Sequence, residues 1–390
     1  MKKRICKRVL CALLATVLLF MLVGCSGATL YASPRANRIV ATAGNVDITY
    51  EELYYLAKNK QAELSADTTL DAATRRAALE SFVWENLLTS SHALISVARD
   101  YGVKCNKGNI AENVQAQLDD LIANEALFAG DLDAYAASLD EAFMTENYLR
   151  TFLAVENYLA TEVILEMIER GELDDSDEAA LAVINSENYI RTVHVYIAKN
   201  NSVNIESINR LNAQNIANRL AAITDDAERY EEMRNAIKNY DNEKKDTTGD
   251  GFYFAKGEMD ERYENAAFSL PVYGASGVVE VEDGFYIIMR MPIEQAYVNR
   301  NLDTLKGNMH FVKLNAMVHA RYAELEEEFA LTRYGEKLDL ENLPEISANG
   351  GATMHTMVIL VSVGVGVGGV IAVCIILLRR KPKKSVKRTR

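Results

Sequence analysis

Between Pro34 and Pro271 the chain contains no proline. Proline lacks an amide N–H and its ring clashes with the preceding helical turn, so this long gap favours a body built mainly of helices. One stretch interrupts it. Tyr189-Ile-Arg-Thr-Val-His-Val-Tyr-Ile-Ala198 is a β-type run with His194 near its middle. Val278-Val-Glu-Val281 and Phe285-Tyr-Ile-Ile-Met-Arg290 follow later, joined by a Glu-Asp-Gly turn. A polar helical middle and the segment Thr248-Gly-Asp-Gly-Phe-Tyr-Phe254 lie between these runs. Strands enclosing helices in this order predict a small α+β domain around an antiparallel sheet, over residues 188–293.

The preceding region, 37–187, reads as a helical module. After a brief strand and a Gly-Asn turn, Thr49 and Glu52 have the spacing of a capping box. Asp71 to Tyr101 shows helical spacing through Leu79, Phe82, Val83, Leu87, Leu94 and Val97, with Gly102 placed as a C-cap. Ile110 to Phe128 and Ala134 to Arg170 continue that period. Beyond the β-rich domain, Leu302 to Tyr334 is amphipathic over its whole length. A helix of this kind needs a partner for its apolar stripe, so 294–335 is expected to fold back on the helical module. Residues 336–353, with Pro344, Gly350 and Gly351, read as a polar stalk.

Charge is sharply segregated. The formal net charge is −13, yet the first 25 residues carry five Lys/Arg and the last 12 carry eight, with no acid in either end. Taking those 13 bases from 42 leaves 29 against 55 acids, a balance of −26 for the middle. Nucleic acid is disfavoured as a partner, because phosphate contact needs a basic face. Of five cysteines only Cys105 falls within the body, which excludes a disulfide framework within one chain.

Both ends point to a membrane. Residues 1–25 have a basic start and an apolar run, the pattern of a signal peptide, followed by a linker over 26–36. Met357 to Leu378 is uncharged and long enough to span a bilayer. It lies within 354–378 and is followed at once by the basic tail 379–390. The positive-inside rule puts that tail in the cytoplasm and residues 26–353 outside. Gly364 and Gly368 form a GxxxG pair compatible with a homodimer. The leader ends in Leu22-Val-Gly-Cys25, which resembles a bacterial lipobox and implies lipidation at Cys25; cleavage near Ala28 or an uncleaved anchor are the alternatives.

The central stretch resembles the parvulin-type peptidyl-prolyl isomerase domain, and the whole arrangement resembles extracytoplasmic foldases of the PrsA/SurA kind. The resemblance is carried by the order of several motifs. His194-Val195 stands in the opening strand, and two helices follow at Glu206–Ile223 and Asp226–Asn239. Thr248-Gly-Asp-Gly-Phe-Tyr-Phe254 stands for Gly-Gly-Asp-Leu-Gly-x-Phe, then come Gly257-Glu-Met259, Tyr263 and Ala267-Phe-Ser-Leu270, and finally Gly284-Phe-Tyr-Ile-Ile288. It implies an α+β parvulin domain and a helical module completed by the C-terminal helix. It also implies isomerase activity on Xaa-Pro bonds of unfolded or secreted clients.

By the same resemblance Phe254, Met259 and Tyr263 would line the proline cup, with Phe268 behind. His194 would belong to a polar network, with Asp241 or Asn242 near the family's Asp/Cys position. Neither a metal nor another cofactor is expected, and His92, His310, His319 and His355 lack ligand spacing. Two positions depart from the pattern: Tyr286 replaces the second histidine, and Gly251 replaces the leucine of the cup and leaves that wall open. These departures keep a second reading in play, a non-catalytic holdase with a degenerate parvulin domain. Lys199 stands alone in the loop after the first strand, so selection for phospho-Ser/Thr-Pro is not expected.

Overall fold

The computed structural model describes residues 35–199, 203–246 and 248–346. The leader, Cys25, the apolar run 357–378 and the basic tail lie outside the described residues. Among the described residues no helix is long and apolar enough to cross a membrane. The chain divides into two compact units, one holding residues up to Val163 and from Met317, the other Ile164–Ala316.

The first unit opens with an antiparallel pair, β1 (Ile39–Ala43) and β2 (Val46–Thr49), leading into α1 (Tyr50–Ala66). The expected capping box is not formed there. Thr49 makes no bond to the helix backbone; its hydroxyl donates to Glu52 Oε1 (3.1 Å), and the other Glu52 oxygen lies 3.0 Å from His92. The single helix expected over 71–101 is two, α2 (Ala72–Asn86) and α3 (Ser90–Asp100). The break is set by Thr89, which caps α3 with His92 in a reciprocal box. Helices α4 (Gly108–Ala123) and α5 (Leu132–Glu141) follow. The run expected from Ala134 to Arg170 is then interrupted at Thr145, whose hydroxyl caps α6 (Glu146–Ala154). A π-turn over Val155–Leu159 joins α6 to α7 (Ala160–Glu169).

The second unit holds α8 (Asp177–Ile184), β3 (Tyr189–Ala198), α9 (Val203–Ala222), α10 (Asp226–Tyr240), β4 (Phe252–Ala255), α11 (Glu261–Ser269), β5 (Val279–Glu280) and β6 (Gly284–Met291). Its sheet is antiparallel in the order β4-β3-β6-β5. Strand β3 is central and buried on both faces, so its sequence reads as a nearly continuous β-branched and aromatic run rather than a polar/apolar alternation. One face packs Val193, Val195 and Ile197 with Phe285, Ile287 and Met289 against Ala213, Ile216 and Leu220 of α9 and Met233 of α10. The opposite face carries Ile190, Thr192, His194 and Tyr196, by the two-residue period of a strand. Helix α11 covers part of that face through Tyr263 and Ala267. At the sheet's exit α12 (Gln295–Glu327) begins, and Val298 and Leu305 pack with Tyr189, Tyr253 and Ile184.

The first unit is completed by residues from Met317 onward. Arg321 donates to Ser96 Oγ (2.7 Å) and Asp100 Oδ2 (2.8 Å) of α3, and Leu325 is buried. Strand β7 (Ala330–Leu331) then pairs antiparallel with β1. The segment read as the start of a polar stalk is packed as far as Ile346. Leu340, Leu343 and Ile346 are buried, and Tyr50 donates to Pro344 O (2.5 Å). Its polar residues between these three positions hide an apolar repeat of three, which fits the short 3₁₀ turn at Leu340–Asn342.

Candidate active site

The uncovered part of the second sheet face is built around His194, which is 5% exposed. Its partner opposite on β6 is Ile288, and Tyr196 stands opposite Tyr286. Thr192 Oγ1 lies 2.9 Å from Tyr263 Oη, and that oxygen lies 2.8 Å from His194 Nδ1. With the ring neutral, one orientation uses every group: Thr192 donates to Tyr263, Tyr263 donates to Nδ1, and the ring proton sits on Nε2. Nε2 points to the Glu243 carboxylate, 3.4 Å from Oε2. Tyr286 Oη donates to the other carboxylate oxygen (2.8 Å), and Lys245 lies 3.0 Å from it.

Glu243 is the residue that sequence reasoning missed. Burial raises its carboxyl pKa, but bonds from His194, Tyr286 and Lys245, together with the Lys245 charge, outweigh burial and hold it at about 2. The Tyr286 phenol is pushed up by burial and by its bond to Glu243, so it remains a donor at any physiological pH. Asp241 and Asn242, the positions expected nearby, serve the backbone instead. Asp241 Oδ1 accepts from Tyr196 N (2.8 Å), and Asn242 Oδ1 accepts from Ala198 N (2.9 Å). Together they lash the end of α10 to β3, which presents the next residue, Glu243, to the imidazole. An acid between Asp241 and two lysines was the available signal, but a loop has no periodicity to say which carboxylate turns inward.

The apolar side of the site is formed as expected in part and differently in part. Phe254, Tyr263, Ile190 and Ile288 are buried together, with Met259, Phe268, Phe252 and Val279 packed around them and partly open. Phe254 meets Phe268 edge-on with centroids 5.8 Å apart. Gly251 does not leave a bare wall. It sits at φ +76, and a Cβ there would lie 2.5 Å from Thr192 O, so no leucine fits this backbone. The next residue closes the gap: the Phe252 ring lies flat on His194, 4.4 Å away and tilted by 6°.

Three further features hold these parts in place. Arg191, 3% exposed, donates to Asp250 O (2.7 Å) and pairs with Glu294, tying the glycine segment to the sheet exit. Glu264 of α11 accepts from the backbone N–H groups of Gly257, Glu258 and Met259, which shapes the loop carrying Met259. Gly284 allows the Tyr196 ring to lie directly on the backbone where β6 starts. Lys199 is occupied by the carbonyls of Val281 and Glu282 and by Glu280. The described residues contain no cluster of His, Cys, Asp and Glu able to hold a metal.

Chemically, the arrangement offers a greasy, aromatic cup beside a buried imidazole, a phenol donor and a fixed carboxylate. It has no activated nucleophile. The family match agrees with this geometry. Residues 180–291 match the PPIC-type PPIase domain family. No curated protein sequence matches the chain. Among solved structures the chain is similar to the foldase protein PrsA of Streptococcus pneumoniae, at 18% identity over 75% of this chain and 93% of that one, with a TM-score of 0.31. It is also similar to PrsA of Bacillus subtilis, at 18% identity over 75% of this chain and 93% of that one, with a TM-score of 0.25. A structure described among SurA-like chaperones of Campylobacter jejuni aligns at 13% identity over 76% of this chain and all of that one, with a TM-score of 0.23. The parvulin resemblance is borne out, and residues 180–291 form a peptidyl-prolyl cis-trans isomerase domain of the PPIC type.

Proposed function

We propose that the chain is a membrane-anchored, extracytoplasmic foldase that speeds cis-trans exchange of Xaa-Pro bonds in secreted polypeptides. Amide rotation faces a barrier of ~18–20 kcal/mol because resonance makes the C–N bond partly double. Neither bond cleavage nor a cofactor is required. The site must grip the proline ring and stabilise the amide while its carbonyl turns out of conjugation. Met259, Phe254 and Phe268 grip the ring, with Phe252 as the wall over His194. The Tyr263–His194–Glu243–Tyr286 network surrounds the turning carbonyl with donors and one charge whose positions are fixed before the substrate arrives.

The continuous chain of contacts from Thr192 to Tyr286 carries this reading. It preserves a wired polar network although the second family histidine is a tyrosine. The test is magnetisation-exchange NMR on an Xaa-Pro peptide with the purified chain. Acceleration that Met259→Ala weakens supports the reading; no acceleration at high protein concentration overturns it. Export and anchoring rest on the two termini, and mass analysis of the mature N-terminus tests lipidation at Cys25.

A specific feature favours a second activity alongside the first. The helical unit contains a cavity of about 800 Å³ between α3, α4 and α6, whose walls mix Ile95, Val103 and Val114 with the charged Asp47, Arg99 and Arg150. That volume is in the range of ligand pockets and suits a short client segment. A chain lacking residues 188–293 that folds yet fails to suppress client aggregation would sink this holdase role.

A further inference from the structure

The amide that rotates takes its carbonyl from the residue before proline. That residue's side chain therefore starts on the neighbouring Cα, and a charge at its end lies within roughly 3–7 Å of the carbonyl. On the isomerase reading, on which this inference rests, that carbonyl sits against His194 and Glu243. Glu243 is a carboxylate with only 13% of its side chain exposed, bonded to Tyr286 at 2.8 Å and facing His194 Nε2 at 3.4 Å. Its low pKa keeps it charged across the physiological range.

We propose that Glu243 makes this site select by charge at the residue preceding proline, disfavouring acidic and phosphorylated residues there and favouring lysine and arginine.

The other charges around the site decide whether this field survives. Lys245 lies 3.0 Å from Glu243, but its side chain is 65% exposed at the end of a flexible stem, where water and salt screen it. Lys256 stands over the Phe268 ring, 5.2 Å from the centroid, on the cup side. Arg290 is committed to the carbonyl of Leu270 (3.0 Å). Lys199, near the far end of β3, is committed to Glu280 and two carbonyls. Glu243 is thus the charge fixed against the imidazole; Lys245 pairs with it only from an exposed, screened position, and Arg290 and Lys199 are already bonded elsewhere. One charge pair about 6 Å apart, at an effective dielectric between those of a protein surface and water, changes relative affinity by about tenfold.

The test uses the full chain and four peptides that differ only before proline: lysine, alanine, glutamate and phosphoserine. Exchange catalysis and peptide binding are both read by NMR. The expected order of kcat/KM is lysine, alanine, glutamate, phosphoserine, with about tenfold between lysine and alanine and about tenfold again between alanine and glutamate. E243Q should pull the lysine-to-glutamate ratio toward one, whatever it does to the overall rate. K245A should widen that ratio, and raised salt should narrow it. Equal use of the lysine and glutamate peptides, or a ratio that E243Q leaves unchanged, overturns the inference while leaving the isomerase reading intact. Should E243Q fail to fold, K245A decides, because a ratio unmoved by removing the screening cation overturns it as well. If no peptide exchanges faster but binding keeps the charge order, the isomerase reading falls and the selectivity stands. If nothing binds, both fall.

Discussion

The two faces of the second sheet are made by alternate residues of the same strand, and they do opposite work. Val193, Val195 and Ile197 point into an aliphatic core whose buried members carry no ionisable group. Thr192, His194 and Tyr196 point the other way, where hydrogen bonds and aromatic rings are set beside Ile190 and Ile288. Burial alone does not separate them, since Thr192 and His194 are as enclosed as the valines. The aliphatic face gains stability from area and close packing. The other face spends its positions on groups that must be satisfied pairwise to be tolerated at all. Stability and chemistry are therefore divided by a two-residue period, and each can be attacked separately.

The largest effect belongs to the aliphatic face. Ile287→Ala, at a fully buried position, should destabilise the second unit by about 2–5 kcal/mol. Urea unfolding should register that loss, and per-molecule activity should be unchanged wherever the variant remains folded. A variant that folds stably but is inactive would break the division. Gly251→Ala comes next, at roughly 1–3 kcal/mol for a left-handed backbone position with no room beside Thr192 O. It strikes the boundary between the faces, because the displaced segment carries Phe252 away from His194. Loss of the upfield ring-current shift on the His194 Cε1 proton would report that movement.

Much of this division was legible in the sequence, and the rest failed for identifiable reasons. The order of short motifs from His194 to Ile288 was sufficient to recognise the domain, because each marks a place where backbone or cup geometry restricts the residue. The long apolar period of 71–101 hid a break at Thr89, since the box there closes with His92 rather than the usual Glu or Gln. The start of the 336–353 segment looked like a tether because polar residues outnumber Leu340, Leu343 and Ile346, yet those three bury. Glu243 was one residue away from the positions considered. No pattern in Asp241-Asn-Glu-Lys-Lys245 says which carboxylate turns inward; only the pairing of Asp241 and Asn242 with β3 does.

A further effect, roughly 3 kcal/mol for shifts of this size, should appear as pH dependence confined to the chemical face. Glu258, on the Met259 loop, is raised to about 7 by burial, against the bond from Ala255 N and with the Glu264 charge adding to the rise. Its contribution to stability is full below the unfolded value, roughly 4.3, and is lost as pH rises to about 7. Glu243 is shifted the other way, so its contribution is present above roughly 4.3 and is lost as pH falls to about 2. Glu258→Gln should flatten the alkaline limb, and Glu243→Gln the acid limb, in unfolding curves collected from pH 2 to 8. Ile287→Ala should lower the whole profile without altering its shape. A changed shape would mean that the two faces are coupled.

The smallest change in stability should accompany the most informative change in activity. Tyr263→Phe removes one oxygen and leaves the ring packed against Phe254 and Ala267. Thr192 and His194 Nδ1 each lose a partner, a cost of about 1–2 kcal/mol. The fixed tautomer goes with it, because Tyr263 is the donor that keeps Nδ1 as acceptor and sends the ring proton toward Glu243. The drop in kcat/KM should be roughly tenfold, the kinetic equivalent of one hydrogen bond, and should fall on kcat rather than KM, since the proline cup is intact. If instead KM rises with kcat unchanged, Tyr263 serves only as cup wall. The polar chain from Thr192 to Tyr286 would then be satisfied core rather than machinery, and the two faces would differ in composition but not in purpose.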